Sequence, residues 1–310
     1  MITVSYFLGK LLPAYCYIAL GFVARRWCGF SQAWVAKSLF FVLVPLLVFK
    51  ASLTSQIESF LFLASLSFAV SLTMSVCAKY LAPYLGGTLK VGILQCMYGY
   101  FNLGWFGIPV VYVLYAEPGM TLMTAFYVGG MLFGNTVGYL LMTDYKKGGA
   151  SILLKLFSIP ALHAMLIGFS MHLIQCNEAL AANSLLSKIF DLVAVGVSVF
   201  GMGLVGMSVA RVSIRTIAWH QLACLLASRL LCAMAVVGVF GSLCWLFGLL
   251  KTFELKIFLL FPLLPIAANM LVFTAKTESG HTTEFIGVAL LTSTILSCLF
   301  FLIWFVSNSI

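Results

Sequence analysis

Apolar runs of about 20 residues, each closed by charges, Gly or Pro, recur along almost the whole chain. A hydrocarbon core about 30 Å thick is crossed by about that many helical residues at roughly 1.5 Å each, so every run reads as a membrane-spanning helix. The runs fall at about residues 3–24, 33–52, 58–80, 88–115 and 119–142. After a polar break at Asp144-Tyr-Lys146-Lys147-Gly-Gly they resume at about 152–175, 184–210, 217–248, 253–276 and 283–306. The pattern predicts an all-α polytopic membrane protein with ten transmembrane helices, called spans 1 to 10 below. Met1 to Ala24 lacks a basic opening and a small-residue cleavage site and ends in Arg25-Arg26, so it reads as a retained first span.

Composition agrees with this reading. The 310 residues are 63% hydrophobic and 8% charged, with a mean hydropathy of +1.13. An average soluble domain carries about 25% charged residues, so a soluble enzyme of this size is excluded. The net charge of +9 does not indicate nucleic acid, because the basic residues stand singly or in pairs and never form a block. They read instead as topology signals. Arg25, Arg26, Lys37, Lys79, Lys90, Lys146, Lys147, Lys155, Arg211, Arg215 and Lys276 fall at the connections after spans 1, 3, 5, 7 and 9. Lys10, Lys50, Lys188, Lys251 and Lys256 fall on the other side. The positive-inside bias makes the first set cytoplasmic. The expected location is the cytoplasmic (inner) membrane, with both termini outside. The nine Cys show no Cys-x-x-Cys and no Cys/His spacing suited to zinc, so they read as free thiols. No metal and no cofactor is expected.

The two halves resemble each other. Leu12-Pro13-Ala14 leads into Gly21-Phe22 at the same spacing as Ile159-Pro160-Ala161 leads into Gly168-Phe169, and Leu89-Lys90-Val91 opens span 4 much as Leu255-Lys256-Ile257 opens span 9. These matches favour a duplication. Five spans per copy bring the second copy in from the opposite face, giving inverted repeats over 1–143 and 152–310 joined by a cytoplasmic link at 144–151.

One span in each half is spoiled as a regular helix. Span 4 carries Gly99-Tyr-Phe-Asn102-Leu-Gly104-Trp-Phe-Gly107-Ile-Pro109, and span 9 carries Pro262-Leu-Leu-Pro265-Ile-Ala-Ala-Asn269. Pro removes a backbone donor and Gly permits unwinding, so both spans are expected to break near their centres. Backbone freed in this way survives in a bilayer only inside protein or beside a watery cavity. Aligned on their openings, the two spans place Asn102 and Asn269 at matching points beside half-helix ends, the outline of a carboxylate site. Kinks and small residues that serve packing alone are the alternative.

The residues Asn102-x-Gly104-x-x-Gly107-x-Pro109, the Pro265 to Asn269 stretch, Gly134-Asn135 and the run from Leu291 to Ser297 resemble the auxin efflux carrier family. Its bacterial members are often called malate or malonate permeases, and it belongs with the bile-acid, arsenite and riboflavin carriers. The resemblance implies ten spans in two inverted repeats. Spans 1, 2, 6 and 7 would form a scaffold, and spans 3–5 and 8–10 an elevator-like transport domain whose spans 4 and 9 cross at their breaks. It further implies a substrate carboxylate at that crossing, against Asn102, Pro109, Pro265 and Asn269 with Asn135 nearby. The chain departs from the family in span 8, where Arg229-Leu-Leu-Cys-Ala-Met lacks the Pro that often follows the basic residue.

Arg229, deep in span 8, is a charge that must face the bundle and either attract an anion or tie helices together through carbonyls. His163, midway along span 6, is either a titrating relay or a packed histidine. Asp191 has Lys188 one turn before it and reads as a local pair. No midplane carboxylate stands out, which weakens coupling to H+ or Na+, although backbone carbonyls at the breaks can hold an ion. The expected function is a secondary transporter of small organic (carboxylate) anions working by alternating access. The alternatives are a channel or receptor-like sensor on a transporter fold, and an ion-coupled symporter of the bile-acid type. An intramembrane enzyme lacks the constellation of nucleophile and base it needs. The expected partners are the organic anion, the lipid bilayer and, through the scaffold, a second copy in a homodimer.

Overall fold

The computed structural model describes residues 2–85, 89–142, 157–176, 183–210, 218–268, 270–271 and 280–307. Among the described residues the protein is α-helical, with no strand beyond a single isolated antiparallel bridge. Six helical stretches among them are long and apolar enough to cross a membrane: Gln32–Thr54, Ile57–Tyr84, Leu103–Met142, Ser184–Val209, Trp219–Leu246 and Thr282–Ile303. The protein is therefore built as a helical membrane protein. In chain order we label α1 (Ile2–Arg26), α2 (Gln32–Thr54), α3 (Ile57–Leu81), α4 (Val91–Gly99), α5 (103–115), α6 (117–142), α7 (Pro160–Leu173), α8 (Ser184–Val209), α9 (Trp219–Leu246), α10 (Thr252–Phe258) and α11 (Gly280–Ser307).

The 40-residue apolar stretch Leu103–Met142 is too long for one crossing and is not one helix. It folds back at Ala116, whose φ of 54° and ψ of −150° no helix contains. The neighbours on either side of that residue count down one strand of the hairpin and up the other. Val111 lies against Gly119, Gly107 against Met123, Gly104 against Tyr127 and Leu103 against Gly130. Residues 103–115 and 117–142 thus run antiparallel, with the turn where the sequence separates spans 4 and 5. Pro118 suits the new helix because its fixed φ is that of a first turn.

Lipid tails are as apolar as Leu, so helices in a membrane gain little by hiding side chains and instead associate by close backbone approach. Glycines make that approach here. A Cβ on Gly21 of α1 would collide with the Gly203 carbonyl of α8, and one on Gly206 with Ile18. One on Gly168 of α7 would collide with Ser52 of α2. On the other flank, Gly129 of α6 sits against the Ala64 carbonyl of α3, and Gly92 of α4 against that of Leu141. α1 packs on α8 and α2 on α7, while α3 packs on α4 and on the α5–α6 hairpin.

Side-chain contacts bring together the ends of successive helix pairs. The Lys50 ammonium meets Glu117 at 2.5 Å, His172 Nδ1 meets the Leu53 carbonyl at 2.9 Å, and Ser59 donates to Glu254 at 3.4 Å. These contacts gather the chain just after α2, α5, α7 and α9. At the other ends, Gln32 donates to Ser208 at 3.0 Å, joining the starts and finishes of α2 and α8. The expected Lys188–Asp191 pair does not form, and both side chains are exposed. In a helix, two flexible side chains three apart gain too little from pairing in water to be held together. Residues 144–151, with Lys146 and Lys147, lie outside the described residues, as do Lys155, Arg211, Arg215 and Lys276.

Candidate functional site

Span 4 breaks at Tyr100–Asn102, just after α4, and span 9 stays extended from Leu264 after a short 3₁₀ turn at Phe261–Leu263. The two interruptions meet. Phe101 and Ile266 form the isolated antiparallel bridge, the Asn102 N–H donates to the Pro265 carbonyl at 2.9 Å, and the Ala267 N–H donates to that of Tyr100 at 3.2 Å. Each break thus satisfies backbone groups of the other that hydrocarbon cannot. Pro265 has no N–H to give, but the pairing asks only for its carbonyl.

Local chemistry fixes the turn. Asn102 has φ −77° and ψ 62°, with the Leu103 N–H donating back to the Phe101 carbonyl at 2.8 Å, an inverse γ-turn. The chain then re-enters helix through a wide π turn at Leu103–Gly107, where the Gly107 N–H reaches the Asn102 carbonyl at 2.9 Å. Pro109 follows in the first α turn, so it opens the second half-helix and does not break the first. The interruption stands seven residues before it.

Arg229 fastens the crossing from α9. Its side chain is 4% exposed. Nε donates to the Met97 carbonyl in the last turn of α4 at 3.0 Å, and Nη1 donates to the Leu264 carbonyl at 3.2 Å. The guanidinium lies 4.9 Å from the centre of the Phe101 ring, a cation–π contact. One cation thereby caps carbonyls left over by both interrupted helices, in keeping with the negative end of α4's dipole. Its Nη2 is buried with no hydrogen-bond partner. Of the two roles open in the sequence, the geometry is that of a tie between helices.

Between the crossing and α2 lies a cavity of about 360 Å³. Asn102, Gly104 and Trp105 come from the break, Tyr127, Gly130 and Asn135 from α6, Ala267 from the facing break, and Lys37, Phe40 and Phe41 from α2. Asn102 is 2% exposed, and its Nδ2 has no hydrogen-bond partner. A buried amide left unpaired costs about 1–3 kcal/mol, so this nitrogen calls for an explanation. Asn135 is half-buried, with Nδ2 donating to the Met131 carbonyl at 2.9 Å. Lys37 is exposed at the mouth.

Glycines shape the walls. A Cβ on Gly104 would come within 2.6 Å of the Tyr127 ring, so only Gly lets that ring lie over the π turn. The Tyr100 ring lies on Gly134 and Gly138, where its hydroxyl donates to the Gly134 carbonyl at 2.6 Å and couples the break to α6.

Of the residues expected at the site, Asn102, Gly104 and Asn135 share this cavity, and Pro265 supports it through the crossing. Gly107 does not line it. That residue faces Met123 and Leu264 inside the hairpin, because a π turn swings it away from the break. Pro109 is buried at the start of the helix and also stands apart. Asn269 lies outside the described residues. His163 does not join the site either. It stands on an exposed face of α7, with Nδ1 3.1 Å from the Ile159 carbonyl one turn back. The sequence reading missed Lys37, which it used only as a topology signal, and the aromatic walls. The glycines at 134 and 138, one turn apart, were the available sign that an aromatic ring lies across α6.

No protein-family model matches the chain, and no curated protein matches it at a significant level.

Proposed function

We propose that this protein is a secondary carrier for a small organic anion and binds the substrate carboxylate in the cavity between α2 and the crossing. The observation that carries this reading is the unpartnered amide of buried Asn102 in a cavity with Lys37 at its mouth. The adjoining start of α5 adds the positive end of a helix dipole. With one cation and the rings of Phe40, Phe41, Trp105 and Tyr127 on the described walls, the cavity suits a single carboxylate on an apolar body better than a dicarboxylate.

The proposed architecture is ten spans in two inverted repeats of five, as in the auxin efflux carriers, in a cytoplasmic membrane with both termini outside. Three features support it. α1 rests on α8 through Gly21 while α7 rests on α2 through Gly168, the arrangement that exchange of spans 1 and 7 with 6 and 2 requires. Both halves contribute an interrupted helix to one crossing. The chain ends after α2, α5, α7 and α9 gather together, as alternating crossings demand. α1, α2, α7 and α8 are then the scaffold, and the remaining helices carry the substrate past it. The membrane potential, worth about 2.3 kcal/mol per charge per 100 mV, would drive export of a monoanion without a coupling ion.

Counterflow in proteoliposomes tests the proposal. Saturable exchange of an internal aromatic monocarboxylate for external label is expected from the wild type, with at least tenfold loss in Asn102→Ala. Flux that never saturates and shows no exchange would mean a channel. Equal exchange by wild type and Asn102→Ala would move the site elsewhere.

A further inference from the structure

A second cavity of about 400 Å³ shares no wall residue with the first. It lies between α9, the Pro262–Leu264 stretch and α11. Leu222, Leu226 and Leu296 make it largely apolar, and Arg229 is the cation in its described wall. Two of the wall hydroxyls are engaged. Ser293 accepts the Ile266 N–H and donates to Leu290, and Ser297 donates to Ser293. Arg229 is not: Nη2 has no hydrogen-bond partner, and no carboxylate among the described residues lies within ion-pair distance of the guanidinium. Two carbonyls and a ring offset part of the cost of burying this charge but leave it un-neutralised.

Depth and access narrow the occupant. Arg229 stands ten residues into α9, roughly 15 Å along the axis, about half the thickness of a bilayer core. A phospholipid headgroup anchored at the interface stays that far away. Trp219, 55% exposed, and Phe300, 37% exposed, line the cavity on the outer surface of the helices. A lipophilic acid dissolved in the bilayer can reach the cation from there and lay its chain along the leucines.

We propose that this cavity is a binding site for a single-chain lipophilic carboxylate of the fatty-acid class, with the carboxylate as counter-ion to Arg229. The site is independent of the carrier reading and needs only a membrane-embedded chain. Bromine quenches indole fluorescence at short range, so 9,10-dibromostearate is the probe and Trp219 the reporter. With purified protein in detergent, saturable quenching is expected in the wild type and is lost in Trp219→Phe. Arg229→Gln should weaken binding at least tenfold. Ala227→Phe, a change on the outer wall that leaves the Arg229 bonds in place, should abolish it even if Arg229→Gln fails to fold. The methyl ester should not bind. Equal quenching by ester and acid, undiminished binding by Arg229→Gln or Ala227→Phe, or displacement of the probe by phosphatidylglycerol would overturn the proposal, the last by making the occupant a bilayer phospholipid.

Discussion

The two flanks of the crossing hold the same raw materials and use them differently. On the α9 flank a buried cation donates from Nε and Nη1 to the carbonyls of Met97 and Leu264 and so closes the structure, with Nη2 alone left for a counter-ion. On the α2 flank the Asn102 backbone closes the structure while the side-chain nitrogen stays unpaired, and the cation, Lys37, stands in the open. The difference teaches how to tell a brace from a receptor in a membrane interior. Both need buried polar groups, but a receptor leaves its donors unanswered until the ligand arrives.

The hardest blow to this contrast is expected from Arg229→Leu. It leaves two buried carbonyls without donors at the point where two helices are already interrupted, and removing one side of a buried charged network costs about 3–5 kcal/mol. The melting temperature of the detergent-solubilised protein should collapse, and Arg229→Lys should recover only part because an ammonium cannot span both carbonyls as the guanidinium does. A melting temperature unchanged by Arg229→Leu would mean that the crossing holds itself together, and the brace would be no brace.

Asn102→Ala should do the opposite. No hydrogen bond of the amide nitrogen is lost, so stability should move by no more than about 1 kcal/mol, while exchange of substrate falls tenfold or more, equivalent to about 1.4 kcal/mol of binding. A large drop in melting temperature with proportionate loss of exchange would erase the distinction between the flanks.

Much of the fold was legible because membrane spans announce themselves by length and apolarity. The boundary between spans 4 and 5 was readable from Glu117-Pro118-Gly119 even though the turn itself rests on Ala116, a residue with no turn signature. The crossing was legible as a pair of Pro- and Gly-rich interruptions, and Asn102 followed from it. Where the break falls was not. Pro109 looked like its cause, yet a π turn separates the two, and wide turns leave no reliable mark in sequence because they depend on which side chains the tertiary packing admits. The same displacement took Gly107 and Pro109 away from the cavity. Lys37 was hidden for another reason: a lysine near a span end serves topology in any membrane protein, and only the fold shows which one lines the same cavity as an unpaired amide.

A smaller effect is expected from Lys37→Gln. An exposed ammonium attracts an anion through water and salt, so apparent affinity should fall several-fold with maximal rate preserved, and the loss should shrink as ionic strength rises toward the regime where the Debye length is a few ångströms. Loss of maximal rate with affinity intact would give Lys37 a part in movement and leave the α2 flank without its cation.

The finest test concerns whether the α2 flank is also the seam along which the molecule moves. Lys50 of α2, buried and 5.4 Å from the centre of the Phe190 ring of α8, reaches across to Glu117 at the tip of the α5–α6 hairpin. If the hairpin travels past α2 and α8, this pair opens in every cycle, whereas the Arg229 bonds, all within the travelling part, do not. The Glu117 side chain is 53% exposed, so solvent screening limits the pair to about 0–1 kcal/mol and Glu117→Gln should barely alter the melting temperature. Its effect should appear in rate, as an exchange velocity changed up to severalfold with affinity constant, because weakening a contact made in one state only shifts the populations between which the carrier alternates. An exchange rate identical to wild type would place the moving seam away from α2 and confine the difference between the flanks to binding.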